Sequence, residues 1–146
     1  MDNFFRTCVS RHFNNRNCKS LIGKPKVFII QCCQGKKKDL GVLWEYFEKS
    51  KINAIGSNKM SAGGERIERK KLPTYSDMII VSSTIPGFVS MRHKVHGSWF
   101  IQDLCKAFME NSHNCPLQKL LNKVSVLMME RETSDGEKQS MEYKVR

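Results

Sequence analysis

Lys24-Pro25-Lys26-Val27-Phe28-Ile29-Ile30-Gln31-Cys32-Cys33-Gln34-Gly35 is the stretch on which the fold turns. Gly23, Lys24 and Pro25 signal a turn. Lys26 to Ile30 then form a short, β-branched apolar run without polar alternation, which predicts a strand covered on both faces in a parallel sheet. In open α/β sheets, reactive groups gather beyond the carboxyl ends of such strands. Cys33 lies three residues past Ile30, at that mouth. Gly35 lets the backbone turn tightly there, leaving a thiol and an amide pointing the same way, which suits a nucleophile. The residues alone leave a second reading open, a buried cysteine packed as a small hydrophobe.

Upstream of this stretch, the first 24 residues are polar and weakly patterned. Downstream, residues 36–72 combine glycine and dense charge with no sustained period, and predict a long linker with one helical turn around Leu43 to Phe47. Asp77 introduces Met78-Ile79-Ile80-Val81-Ser82, a second buried strand, which Pro86-Gly87 ends. Ser98 suits the cap of a helix starting near Trp99, with Phe100, Leu104 and Phe108 at intervals of four. Another helix is expected from Asn114 to Pro116 onward, with Leu117, Leu120, Leu121, Val124 and Met128 along one stripe. In the polar tail after Glu130, only Met141, Tyr143 and Val145 alternate. Strands followed by helices predict an α/β fold, a mostly parallel sheet flanked by helices.

The chain's 146 residues, 40% hydrophobic and 27% charged, suit one globular unit with a single core. Its longest apolar runs fall far short of the roughly 20 residues that cross a bilayer, and no secretory signal opens the sequence. A cytoplasmic protein without a membrane partner is expected. Six cysteines, at 8, 18, 32, 33, 105 and 115, are therefore expected to be reduced. Neither a C-x-x-C pair nor a helical histidine pair occurs, so no metal and no cofactor is expected. The net charge of +11 is concentrated before residue 73. Lys36-Lys37-Lys38 and Arg69-Lys70-Lys71 bound a loop-like stretch without interleaved aromatics, which argues for solvated charge rather than a nucleic-acid partner.

Gln31-Cys32-Cys33-Gln34-Gly35 resembles the active-site signature of caspases, Q-A-C followed by R, Q or G and then G, with Cys32 in place of the alanine. A second segment is similar to the same family. Ser82 to Arg92, followed by Gly97 to Gln102, looks like the caspase small-subunit stretch that runs from a strand through the substrate-binding loop into a helix. The resemblance covers about residues 13–128.

It implies a fold and a chemistry. The fold would be an incomplete caspase-like one, with residues 1–35 as the end of the large subunit, 36–72 as the intersubunit linker and 73–146 as a truncated small subunit. Cys33 would be the nucleophile that attacks the carbonyl after an aspartate in protein substrates. Gln31 and Arg92 would line the aspartate pocket, Arg92 gripping the carboxylate through paired charge-assisted bonds. Ser90, Val89 and Phe88 would occupy the substrate loop, with Val89 and Phe88 as the wall for the next side chain. Arg92 as a plain surface residue and Phe88 as a packing residue are the competing readings.

The family places its partner histidine about 50 residues before the cysteine. Only 32 residues precede Cys33, and neither His12 nor His96 stands in the expected context, so the chain is expected to be inactive by itself. No aspartate occurs between Asp39 and Asp77, where family members are cleaved, and the short end after Gln139 argues against an ordinary homodimer. Two functions follow as expectations: a caspase-type endopeptidase domain in apoptosis or related proteolytic signalling, or a non-catalytic homologue that pairs with a full-length caspase.

Overall fold

A computed structural model describes residues 2–42 and 72–146; the predicted helical turn at Leu43 to Phe47 lies outside the described residues. Helix α1 (Asp2–His12) comes first, then strands β1 (Lys26–Ile30) and β2 (Gly35–Lys37). Strands β3 (Met78–Ser82), β4 (Gly87–Phe88), β5 (Arg92–His93) and β6 (Gly97–Ser98) follow. Helices α2 (Trp99–Asn111) and α3 (Leu117–Glu130) and strand β7 (Glu142–Val145) complete the chain.

The central sheet has the order β1-β3-β7. The predicted parallel pair forms, with Lys26 opposite Met78 and Ile30 opposite Ser82. The alternation at Met141, Tyr143 and Val145 marks a third strand, which runs antiparallel to β3 with Tyr143 opposite Val81. Met78, Ile80, Val81 and Ser82 are all buried, so β3 is covered on both faces as its composition predicts. β1 is not. Lys26 and Ile30 are buried, but Val27 and Ile29 are 44% and 45% exposed. The reason is position: β1 is an edge of the described sheet, and α2 and α3 do not reach over it. An uninterrupted apolar run tells how a strand is composed, not how far neighbouring helices extend.

The core lies where α2 and α3 meet β3 and β7. Val81, Phe100, Ala107, Leu121, Val124 and Met128 form it, with Leu104, Phe108, Leu117 and Tyr143 packed around them. Both predicted helix stripes face this core. The opposite face receives the segment after α1, where Phe13 meets Phe28 with ring centroids 5.6 Å apart. α1 was not legible in the weakly patterned first 24 residues; its C-terminal turn carries Arg11 and His12, which complement the negative end of the helix dipole.

Lys26 enters this face as a buried charge, and three acceptors satisfy it. Its Nζ donates to Asn15 Oδ1 at 3.3 Å and to the carbonyls of Leu21 and Lys24 at 3.1 Å each.

Candidate active site

The adjacent carboxyl ends of the parallel strands β1 and β3 set the cleft. After Ile30 the chain leaves the sheet, and Ser83 holds it. The Cys32 amide donates to Ser83 Oγ at 3.2 Å, and that hydroxyl donates to the Cys32 carbonyl at 3.1 Å. Gln34 is buried, and its side-chain amide donates to the Thr84 carbonyl. β2 then pairs with β4 in parallel, tied by Gln34 N–H to Phe88 O at 2.9 Å and Gly87 N–H to Gln34 O at 2.8 Å. This pairing brings the 88–92 loop against Cys33.

Gln31, Cys33, Ser90 and Arg92 line one cleft of about 700 Å³ together with Cys32 and His96. The Ser90 amide donates to Cys33 Sγ at 3.3 Å, and the Ser90 carbonyl lies 3.9 Å from the same sulfur. Gln31 spans the floor: its Nε2 donates to Ser90 Oγ at 2.8 Å and its Oε1 accepts from Ser98 Oγ at 3.0 Å. Ser98 also caps α2 by accepting from the Ile101 amide at 3.2 Å, so one hydroxyl links helix and cleft. Arg92 is exposed, and its guanidinium makes no ion pair among the described residues. Among the described residues the lining contains no carboxylate, so their charge favours an anionic group.

Val89 and Phe88 lie elsewhere. They line a small depression with Asp39, Thr84 and Ser140, and the Val89 amide donates to the Lys37 carbonyl at 2.9 Å. The four residues first named are brought together; these two stand beside them, continuing the β2–β4 pairing.

Sequence reasoning missed Gln139. It is buried, and its Nε2 donates to the Ser83 carbonyl at 2.6 Å and to Ser90 Oγ at 3.3 Å, while its Oε1 accepts from the Met91 amide. One side chain from the approach to β7 therefore holds the loop that carries Ser90 and Arg92. Its neighbours fix that approach: the Lys138 backbone amide donates to the Asp39 carbonyl at 2.7 Å, and Lys38 pairs with the mostly buried Glu137 at 2.6 Å. The hydrogen bond that the Lys38 ammonium donates to Glu137, and the carboxylate's charge, hold the lysine's pKa above its usual range, so Lys38 keeps its charge at neutral pH and this contribution is lost as the pH rises into the alkaline range. A buried glutamine in a polar tail gives no periodic signal.

Among the described residues, no imidazole nitrogen hydrogen bonds to Cys33 Sγ. The His96 ring stacks on His93 with centroids 4.6 Å apart, and His93 Nδ1 accepts the amides of Val95 and His96 at 3.2 and 3.1 Å. Among the described residues no cysteine is in a disulfide, and no group of three or more His, Cys, Asp or Glu side chains is placed to hold a metal. No helix there is long and apolar enough to cross a membrane.

A family model described as a caspase domain matches residues 2–145. The chain is 38% identical over 112 residues to caspase drICE of Drosophila melanogaster, covering 77% of this chain and 30% of that protein. It is 36% identical over 122 residues to caspase-2 of Gallus gallus, covering 84% and 28%. To caspase-3 of Xenopus laevis it is 35% identical over 128 residues, covering 87% and 40%. Among solved structures, caspase-1 from Spodoptera frugiperda matches with a TM-score of 0.75 and 25% identity, over 95% of this chain and 50% of that one. The chain thus spans between 28% and 40% of the length of these three curated relatives.

Proposed function

Since this chain belongs to the caspase family, we propose that its cleft is the nucleophile and aspartate-pocket half of a cysteine-peptidase site that cuts proteins after aspartate, in apoptosis or related proteolytic signalling in the cytoplasm. The carrying observation is the convergence of Cys33, Gln31, Ser90 and Arg92 on one cleft whose described lining holds no carboxylate. In this reading residues 1–35 close the large subunit, 36–72 link the subunits and 73–146 form the small subunit.

The chemistry follows from the placement. Arg92 takes the aspartate carboxylate through its planar fork, while Gln31, held between Ser90 and Ser98, supplies a fixed polar wall. Cys33 Sγ attacks the carbonyl carbon, and the Cys33 amide receives the developing oxyanion. The thiolate rather than the thiol is the attacking species, so turnover needs a base to take the Cys33 proton. The sulfur's hydrogen bonds go to Ser90, and the 146-residue chain by itself binds without turning over.

Two measurements test this. An aspartate-ended peptide should bind, and Arg92→Ala should weaken binding about tenfold to a hundredfold, the cost of a lost charged hydrogen-bond pair. Equal binding of the asparagine-ended peptide would remove the pocket. A fluorogenic aspartyl substrate should show no turnover above that of Cys33→Ala; robust cleavage lost in Cys33→Ala would refute inertness.

The exposed Val27 and Ile29 on edge strand β1 favour a second reading, a non-catalytic member that pairs with a full-length caspase. An open edge beside exposed β-branched side chains is a template for strand addition. Mixed with a full-length caspase, the chain should co-elute in gel filtration, and Val27→Lys with Ile29→Lys should abolish co-elution. Separate elution of the unaltered chain rejects this reading.

A further inference from the structure

We propose that Gln139 is a positioning residue that couples the two arms of the cleft and so sets its preference for aspartate over asparagine. One arm is the 31–33 segment with Cys33, the other the 88–92 loop with Arg92. The preference rests on the aspartate-pocket reading of the cleft; the coupling does not. Gln139 belongs to neither arm and is 3% exposed. Toward the first arm its Nε2 donates to the Ser83 carbonyl at 2.6 Å. The Ser83 hydroxyl in turn clasps Cys32 by both backbone groups, accepting from its amide at 3.2 Å and donating to its carbonyl at 3.1 Å. Toward the second arm, Nε2 donates to Ser90 Oγ at 3.3 Å and Oε1 accepts the Met91 amide. The Met91 carbonyl accepts the Trp99 amide at 3.2 Å, so Met91 is pinned through both its backbone groups, immediately before Arg92.

The chemistry of the gap between the arms calls for this side chain. The Ser83 carbonyl can only accept and the Met91 amide can only donate, so the gap needs a donor on one side and an acceptor on the other. A primary amide supplies both; a carboxylate lacks the donor, and a thioether offers at most a weak acceptor. Ser90 completes the link. Its Oγ also accepts from Gln31 Nε2 at 2.8 Å and its amide donates to Cys33 Sγ at 3.3 Å, so the loop that Gln139 holds is the one that touches the sulfur. Arg92 follows two residues later, exposed, and its reach depends on where this backbone stands. A guanidinium grips a carboxylate by two parallel charge-assisted bonds, which a backbone displacement of about 1 Å spoils; the neutral bonds to an asparagine amide tolerate it better.

The test compares the full chain with Gln139→Met, which keeps the side chain's length and loses its amide. Binding of an aspartate-ended peptide should weaken about tenfold, while binding of the asparagine-ended peptide changes less than about twofold. A mere loss of folded protein would lower both alike. Amide hydrogen exchange read by NMR reports the coupling without any ligand. The Ser90, Met91 and Cys32 amides should exchange about tenfold faster, with the Ile80 and Val81 amides of β3 unchanged. The Cys32 amide decides, because it bonds to Ser83 and not to Gln139. Faster exchange at Met91 alone makes Gln139 a simple loop tie and overturns the coupling. An unaltered preference between the two peptides in Gln139→Met overturns the specificity role. If the unaltered chain shows no preference for aspartate, the aspartate-pocket reading falls, and exchange at Cys32 still decides the coupling. Should Gln139→Met not fold, Gln139→Asn, one methylene too short to reach both arms, is read in the same way. Failure of both variants to fold makes Gln139 a core element and overturns the proposal.

Discussion

Arg131→Ala is expected to lower folding stability by about 3 to 5 kcal/mol, the usual consequence of removing one partner from a buried ion pair. Asp103, on α2, is 3% exposed. Arg131, just past α3, holds it with a fork: Nη2 lies 2.7 Å from Oδ1 and Nε 2.8 Å from Oδ2. Nη2 also reaches Gln102 Oε1 at 3.2 Å, and the guanidinium lies over the Trp99 ring at 5.7 Å. The variant leaves a carboxylate in the interior with no cation. Urea titration of Arg131→Ala measures the loss, and a change below about 1 kcal/mol would show that the pair behaves like an exposed one. Arg131→Met combined with Asp103→Leu should recover most of the stability, because replacing both charges removes the desolvation cost together with the attraction. Gln102 also donates to the Gly97 carbonyl at 3.0 Å and lines the cleft, so the single variant should weaken peptide binding as well.

Gly35→Ala should be nearly as damaging, for a different reason. A Cβ at position 35 would land on the carbonyl of Gly87, a backbone group that cannot rotate away. The β2–β4 pairing would have to open, breaking the Gln34–Phe88 and Gly87–Gln34 hydrogen bonds that bring the 88–92 loop to Cys33. Overpacking of this kind costs about 3 kcal/mol. A lowered melting temperature with loss of aspartyl-peptide binding is the expected result. An unchanged melt with full binding would mean that the two strands have room to separate.

Much of this arrangement is legible in the sequence because it rests on local chemistry. β-branched runs give β1 and β3, four-residue spacing gives α2 and α3, and Ser98 marks a helix start. The Gln31 to Gly35 and Ser82 to Arg92 segments bring the cleft residues into view through their family resemblance. What escapes is relational. The exposure of Val27 and Ile29 depends on how far α2 and α3 extend, and β7 becomes a strand because β3 offers it a partner. Gln139 and Arg131 sit in a polar tail where their residue types look like solvent-facing ones. Their roles come from partners far along the chain, Ser83 and Asp103, and no periodicity encodes that.

The distances along the chain between the cleft's partners have a kinetic consequence. Ser90 and Cys33 are 57 residues apart, Ser98 and Gln31 are 67 apart, and Gln139 and Ser83 are 56 apart. Closing such loops spends entropy before any contact repays it, whereas α2 and α3 meet across a short turn. The helical hairpin is therefore the natural nucleus, and the Cys33 cleft is among the last features to take shape as the chain folds.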